Sequence, residues 1–299
     1  MLFKHVFESE TIPTIWKHAY VIPIFKKGKS CLIENYSSIS LTSVVCKVSE
    51  AAIKLDLVNY LAVNNLITSD QHGFMSRRST CTNLLETLNH WTLTIKDGYY
   101  TRVAYIDFKR AFDSVCHSKL IYKLSMLGIS GSLLAVLMSY LSNRTQQVKL
   151  ENTLSETKNI ISGVPQGSVL GPILFVLYIN DLSNIFDDSV KSKYFADDAK
   201  LYSEIKSNAD LENFQDNLDR LSKWAESWQL DISIKKCCTM DISLNNNNKL
   251  NHYNTVDNVE TDPVMQIRDL GVIVDSKLKF SAHIAKIVTT VKQRTALLF

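Results

Sequence analysis

Phe195-Ala196-Asp197-Asp198 decides the reading of this chain. Two adjacent acids stand between the apolar run Tyr194-Phe195-Ala196 and a second short run, Ala199-Lys200-Leu201-Tyr202. Aromatic and small residues flanking two acids predict a β-hairpin with carboxylates at its turn. Adjacent like charges repel, so a fold that holds them together supplies a cation between them. Upstream, Val103-Ala104-Tyr105-Ile106-Asp107 is a second apolar strand ending in an acid. If the two strands are neighbours, Asp107, Asp197 and Asp198 converge at one sheet edge. Hard carboxylate oxygens without Cys or His suit Mg²⁺. Two such ions clamp the attacking and leaving oxygens of a phosphoryl transfer, which points to nucleotidyl chemistry. A pair of acids at an ordinary surface turn is common, so the surroundings must carry the weight.

With 299 residues the chain has room for about two domains of ordinary size. Hydrophobic residues make up 45%, enough for a large core and too many for a disordered chain. Net charge is +3, from 33 basic and 30 acidic residues, so a nucleic-acid surface would have to localise its positive charge. Candidate clusters are Lys26-Lys27-Gly28-Lys29, Arg77-Arg78, Lys109-Arg110 and Lys235-Lys236, each also compatible with a plain solvated face. The cysteines, at 31, 46, 81, 116, 237 and 238, show no zinc-type spacing, and the histidines add no cluster. That pattern suits a reducing compartment. Met1-Leu2-Phe3-Lys4-His5 lacks the apolar stretch of a signal peptide. The longest apolar run, Pro172 to Ile179, is too short to span a bilayer.

Periodicity predicts strand over 13–25, closed by the basic turn Lys26-Lys27-Gly28, and helices over 41–66 and 80–96. In the first helix the expected buried face is Val44, Val45, Val48, Ala51, Ala52, Leu55 and Leu57. After the Asp107 strand, helices are expected near 117–127, stopped by Gly128, and from Ser130 or Ser132 through Leu141. Strands at 145–150 and 160–161 lead to the turn Gly163-Val164-Pro165-Gln166-Gly167 and a helix within 168–182. The cleanest amphipathic helix is 208–228, through Leu211, Phe214, Leu218, Leu221, Trp224, Ala225 and Trp228. Trp224 and Trp228 read as core rather than as base-stacking platforms. Strand-like 229–243, a flexible Asn-rich loop at 245–258 and a hairpin at 264–275 complete the pattern. Mixed short strands and helices without a repeat predict an α+β fold.

These motifs, taken in order, resemble the reverse transcriptase domain of a non-LTR retrotransposon of the jockey-like kind. The resemblance rests on the stretch from Trp16 to Gly28, on Glu34-Asn35-Tyr36 with Ile39-Ser40-Leu41, and on Gln71-His72-Gly73-Phe74. It continues through Tyr105-Ile106-Asp107-Phe108-Lys109-Arg110-Ala111-Phe112-Asp113, Ser162 to Pro172, Phe195-Ala196-Asp197-Asp198 and Asp269-Leu270-Gly271-Val272. It implies a right-hand polymerase: fingers over 1–101 with a contribution from 116–158, palm over 102–275, and the start of a thumb over 276–299. It further implies RNA-directed DNA polymerase activity, with Asp107 and Asp197 as direct ligands of two Mg²⁺ ions (Mn²⁺ being a substitute) and Asp198 shaping the site. Template RNA, DNA primer and dNTPs are the implied partners, with the element's endonuclease and RNA-binding protein beside them and no membrane. The implied compartments are nucleus and cytoplasm.

By the same resemblance Phe112 is the aromatic gate that crowds the sugar and rejects ribonucleotides, although a plain core role also fits it. Gln166 and Gly167 belong to the loop that holds the nucleotide, where glycine lets backbone approach closely. Lys26 or Lys27 sits near the triphosphate. Lys236 matches the lysine that protonates pyrophosphate, and Leu270-Gly271 the primer grip. Asp113 reads as a local cap or backbone partner rather than a metal ligand.

The chain departs from the family at Ser37-Ser38, where Arg-Pro is usual, and at Ser233, where Asn is frequent. Losing a bidentate, charge-assisted arginine would weaken nucleotide binding by about 1.5–3 kcal/mol. With no endonuclease before Met1 and a stop at Phe299, the expectation includes a rival: a decayed fragment that keeps the fold and at most binds nucleic acid. An intron-type maturase is a third, weaker match.

Overall fold

The computed structural model describes residues 2–244 and 254–296. In chain order its elements are α1 (Leu2–Ser9), β1 (His18–Phe25), β2 (Tyr36–Thr42), α2 (Val44–Val63), α3 (Thr80–Lys96), β3 (Tyr100–Ile106), α4 (His117–Met126) and α5 (Gly131–Leu141). There follow β4 (Arg144–Leu150), β5 (Thr153–Leu154), β6 (Lys158–Ile160), α6 (Gly171–Ile179), β7 (Val190–Phe195), β8 (Asp198–Ile205), α7 (Asn208–Trp228) and β9 (Cys238–Ile242). The last are β10 (Thr255–Val256), β11 (Val259–Glu260), β12 (Asp262–Pro263), β13 (Gln266–Asp269), β14 (Val272–Asp275) and α8 (Ser281–Thr295). The expected α+β class is borne out. The chain forms two compact units, one of residues 1–74, 109–181 and 225–231, the other of 75–108, 182–224 and 232–299.

In the first unit β1 pairs antiparallel with β2 and parallel with β4, and β4 pairs with β5 and β6. Its core is α6, where Gly171 and every residue from Ile173 to Ile179 are buried. Helix α2 starts after Ser43, whose hydroxyl accepts the Cys46 N–H. Its buried face corrects the sequence reading. Cys46, Ser49, Glu50, Ile53, Leu57 and Leu61 point inward, whereas Val44, Val45, Val48 and Leu55 are exposed. The helix turns to bury Glu50, whose carboxylate has backbone donors to satisfy, and the valine stripe is left outside. Leu41 and Thr42, expected within the helix, end strand β2 instead.

In the second unit a five-stranded sheet runs in the order β12-β9-β3-β8-β7. Its central strands β8, β3 and β9 are antiparallel, with Ile106 opposite Ala199 and Tyr105 opposite Cys238. One face carries Val103, Tyr202 and Met240, packed with Trp91 of α3 and Val274 of the β13–β14 hairpin. Helix α3 begins with a capping box at Ser79 and Thr82. The expected strand over 229–243 shrinks to β9, because Ile234–Lys236 coils into a 3₁₀ turn. Of the expected Asn-rich loop, 245–253 lies outside the described residues, while 254–258 contains β10.

Candidate active site

Strands β7 and β8 form the expected hairpin, with Phe195 paired to Asp198 and Ala196-Asp197 at the turn. Ala196 takes a left-handed φ of 58°, a conformation that costs a residue with a Cβ about 1–2 kcal/mol. Pairing Ile106 with Ala199 brings Asp107, the next residue after β3, beside Asp198. The convergence expected of Asp107, Asp197 and Asp198 is therefore what the register produces. Asp198 as a residue is exposed, but partial desolvation of its carboxyl, followed by the charges of Asp197, Asp107 and Asp269, pushes it up to about 6. Such a site favours a cation or a proton.

Lys236 supplies one cation. Its Nζ lies 3.0 Å from Asp107 Oδ1 and 3.3 Å from Oδ2, and both side chains remain open to solvent. The backbone around Asp107 is fixed from behind: its carbonyl accepts the Ser233 N–H at 2.7 Å. A cavity next to the acids is lined by Tyr105, Asp107, Asp198, Lys200, Lys236 and Leu270. Leu270 and Gly271 form the tip of the β13–β14 hairpin, at φ 45° and 96°. One hairpin over 264–275 was legible, and its tip is part of this lining.

Sequence reasoning missed the buried lysines. Lys200 Nζ meets Asp269 Oδ2 at 2.6 Å, and Lys193, directly opposite Lys200 in the register, meets Glu86 at 2.7 Å. Like charges opposite each other destabilise a sheet, so each lysine takes an acid from another element. The available signal was a lysine inside an apolar strand run, as in Ala199-Lys200-Leu201.

The remaining predicted residues belong to the first unit, where the Gly163–Gly167 loop is stitched down on both sides. Gly163 and Val164 donate to the carbonyls of Val115 and Phe112, at 2.7 and 2.8 Å. Ser40 of β2 donates to the Gln166 carbonyl at 2.7 Å. The glycines are required by space as well as by φ. A Cβ on Gly163 (φ 88°) would stand 2.7 Å from the Asp113 backbone, and one on Gly167 (φ 110°) 2.7 Å from the Ser40 carbonyl. The Gln166 amide donates to Asp113 Oδ1 at 2.9 Å, so the Asp113 carboxylate is held by a side chain far along the sequence and not by the local backbone bond or cap expected of it. Phe112 stacks on Phe175 of α6, with ring centroids 4.5 Å apart, and meets Phe74 edge-on. Lys26 and Lys27 are exposed in the turn after β1. Trp224 is buried, and Trp228 is half-buried under the Lys123 ammonium, which lies 3.6 Å from its ring.

All donors in the acid cluster are carboxylate oxygens, the chemistry a hard divalent ion takes. Among the described residues no three Asp, Glu, His or Cys side chains are gathered closely enough to enclose an ion. A Mg²⁺ held by one or two carboxylates and completed by phosphate and water needs no such cage. No described helix is long and apolar enough to cross a membrane.

Comparison with known proteins gives this geometry its class. The reverse transcriptase (RNA-dependent DNA polymerase) family matches residues 24–282, and the chain belongs to that family, as a reverse transcriptase domain of the non-LTR retrotransposon kind. Among its relatives are mobile-element proteins of Drosophila melanogaster. The RNA-directed DNA polymerase from mobile element jockey is 29% identical over 99% of this chain and 33% of its own length. The probable RNA-directed DNA polymerase from transposon BS is 29% identical over 95% and 32%, and that from transposon X-element 27% identical over 99% and 33%. The chain thus spans about a third of the curated relatives it matches. Among solved structures, apo telomerase from Candida tropicalis superposes with a TM-score of 0.62 at 12% identity, over 89% of this chain and 48% of that one. A form truncated from its C-terminal domain gives 0.59 at 11%, over 91% and 55%. These two share the fold.

Proposed function

We propose that the chain is an RNA-directed DNA polymerase that joins dNTPs to the 3′-hydroxyl of a DNA primer on an RNA template. The observation that carries this reading is the gathering of Asp107, Asp197 and Asp198 where β3 meets the β7–β8 hairpin, within a family of such polymerases. Asp107 and Asp197 would hold two Mg²⁺ ions (Mn²⁺ as substitute), and Asp198 would keep the local field negative. Ions bound there would supply Lewis-acid charge to the attacking hydroxyl and to the phosphates. Lys236 gives a proton to the departing pyrophosphate, a role supported by its contact with Asp107 Oδ1 at 3.0 Å.

Lys26 or Lys27 engages the triphosphate, and Gln166 and Gly167 offer backbone and amide to the nucleotide. Phe112, held by its stack on Phe175, crowds the sugar and excludes a 2′-hydroxyl. Leu270 and Gly271 grip the primer. In this reading 1–101 with 116–158 are fingers, 102–275 palm and 276–299 the start of a thumb. The element's endonuclease and RNA-binding protein are partners, and the work is divided between cytoplasm and nucleus. Primer extension on an RNA template at low salt, beside an Asp197→Ala control, tests the proposal. Extension that disappears in the control supports it. A folded chain that binds the duplex without extending it favours the rival of a decayed copy, to which Ser37-Ser38 points.

A further inference from the structure

The buried pair Lys200–Asp269 lies beside the acids but has no part in the chemistry so far described. Its Nζ–Oδ2 distance is 2.6 Å, and the two side chains are 4% and 6% exposed. We infer that this pair sets the position of the Leu270–Gly271 turn against Asp198, making Lys200 and Asp269 positioning residues for the primer terminus. The inference rests on the polymerase reading above.

The hairpin itself shows why its tip needs a tether. Strands β13 and β14 form a sheet of their own, separate from the five-stranded sheet. Backbone bonds fasten the open end: Val264 N–H donates to the Thr239 carbonyl at 2.8 Å, and Ser243 N–H to the Ser276 carbonyl at 2.9 Å. Among the described residues, no backbone hydrogen bond joins the tip, residues 269–272, to that sheet. Ile267, Val272 and Val274 pack on the sheet face, but apolar contact is non-directional and leaves sliding open. Asp269 immediately precedes Leu270-Gly271, and Lys200 lies two residues after Asp198 in β8, on the same face of the sheet. The ion pair therefore links the turn to the strand of the acid through one short, directional contact. Buried ion pairs add little net stability compared with apolar packing of similar volume, so fixed geometry is what this one contributes.

Single-turnover extension of a DNA primer on an RNA template, with the full chain, tests this. Asp269→Glu keeps the charge and lengthens the tether by one C–C bond, roughly 1.5 Å. A misplacement of about 1 Å at a reacting group costs about 10²-fold, and that is the expected loss in extension rate. Primer–template affinity and the nucleotide Michaelis constant should stay near the parent values. Glu86→Gln weakens the neighbouring ion pair on α3 and should extend at the parent rate. A folded Asp269→Glu chain with the parent rate overturns the inference, as does an equal loss in Glu86→Gln. If Asp269→Glu does not fold, Lys200→Arg alters the same tether with the charge kept, and the same expectations apply.

A primer with a photoreactive 3′-terminal nucleotide adds a readout independent of turnover. Its crosslink should map to residues 268–272 in the parent and shift in Asp269→Glu. A parent chain that crosslinks there without extending counts against the polymerase reading alone. A crosslink that is unchanged in the variant, or that falls elsewhere in the parent, overturns the role of the pair.

Discussion

Glu50 offers a quantitative test of how the first unit holds its loop. The side chain is 1% exposed. Its Oε2 accepts the backbone N–H groups of Val169 at 2.7 Å and Leu170 at 2.9 Å, and the Tyr140 hydroxyl at 3.3 Å. Its Oε1 accepts the Cys46 thiol at 3.4 Å. Glu50→Ala would orphan both backbone donors just before α6. It would also remove the acid nearest Tyr140 and Cys46, which feel the buried Arg144 as well. Each bond to a charged acceptor contributes about 1.5–3 kcal/mol, and each orphaned donor costs about 1–3 kcal/mol. Release of the buried carboxylate offsets part of this, so a net loss of about 3–5 kcal/mol is expected, as for other broken buried charge networks. Glu50→Gln keeps an acceptor for Val169 and Leu170 and should lose only about 1–2 kcal/mol. Urea unfolding followed by tryptophan fluorescence reads both values from the midpoint and slope. A Glu50→Ala chain within about 1 kcal/mol of the parent would refute the reasoning, since a loss that small is what a surface change gives.

Other outcomes follow from the same geometry. Phe112→Val should raise ribonucleotide incorporation relative to deoxynucleotide incorporation, and an unchanged ratio in competition assays would leave Phe112 as core alone. Ser37→Arg restores a charge-assisted donor worth about 1.5–3 kcal/mol and should lower the nucleotide Michaelis constant about tenfold or more; no change sinks that account of Ser37-Ser38. The Lys123 ammonium is brought down to about 8 by burial, with Asp181 partly restoring it. Its folded pKa lies below the unfolded value of about 10.4, so the folded state sheds its proton first and stability gains as pH rises from 8 to 10.4. Subtracting the Lys123→Met profile isolates that gain from the titrations of Cys46 and Tyr140, and parallel profiles would contradict it.

The residues that were legible carry signals in their own neighbourhood. The β7–β8 hairpin is set by two acids between apolar runs, α7 by an uninterrupted period, and the end of α4 by Gly128, which takes φ 82°. Aligning Asp107 with Asp198 needed only the assumption that two strands are neighbours, and the register satisfies it. The face of α2 misled because hydrophobicity alone favoured Val44, Val45 and Val48. The inward choice depends on Glu50, whose partners Val169 and Leu170 lie far along the chain. Lys200 with Asp269 and Lys193 with Glu86 were hidden for the same reason: a buried charge is explained by its partner, and the partner comes from a distant element. Gly163 and Gly167 were read as a close backbone approach, but the carbonyls they approach, those of Asp113 and Ser40, emerged only from the fold.

The central claim is that Asp107 and Asp197 perform nucleotidyl transfer onto a primer. Single-turnover extension should be measured for the parent, Asp107→Ala and Asp197→Ala, with duplex binding measured separately on each. The account predicts that both variants bind primer–template near the parent affinity and lose extension by about 10³-fold or more, a span of about 4 kcal/mol in the barrier. An Asp197→Ala chain that still extends the primer at a rate near the parent's would contradict it.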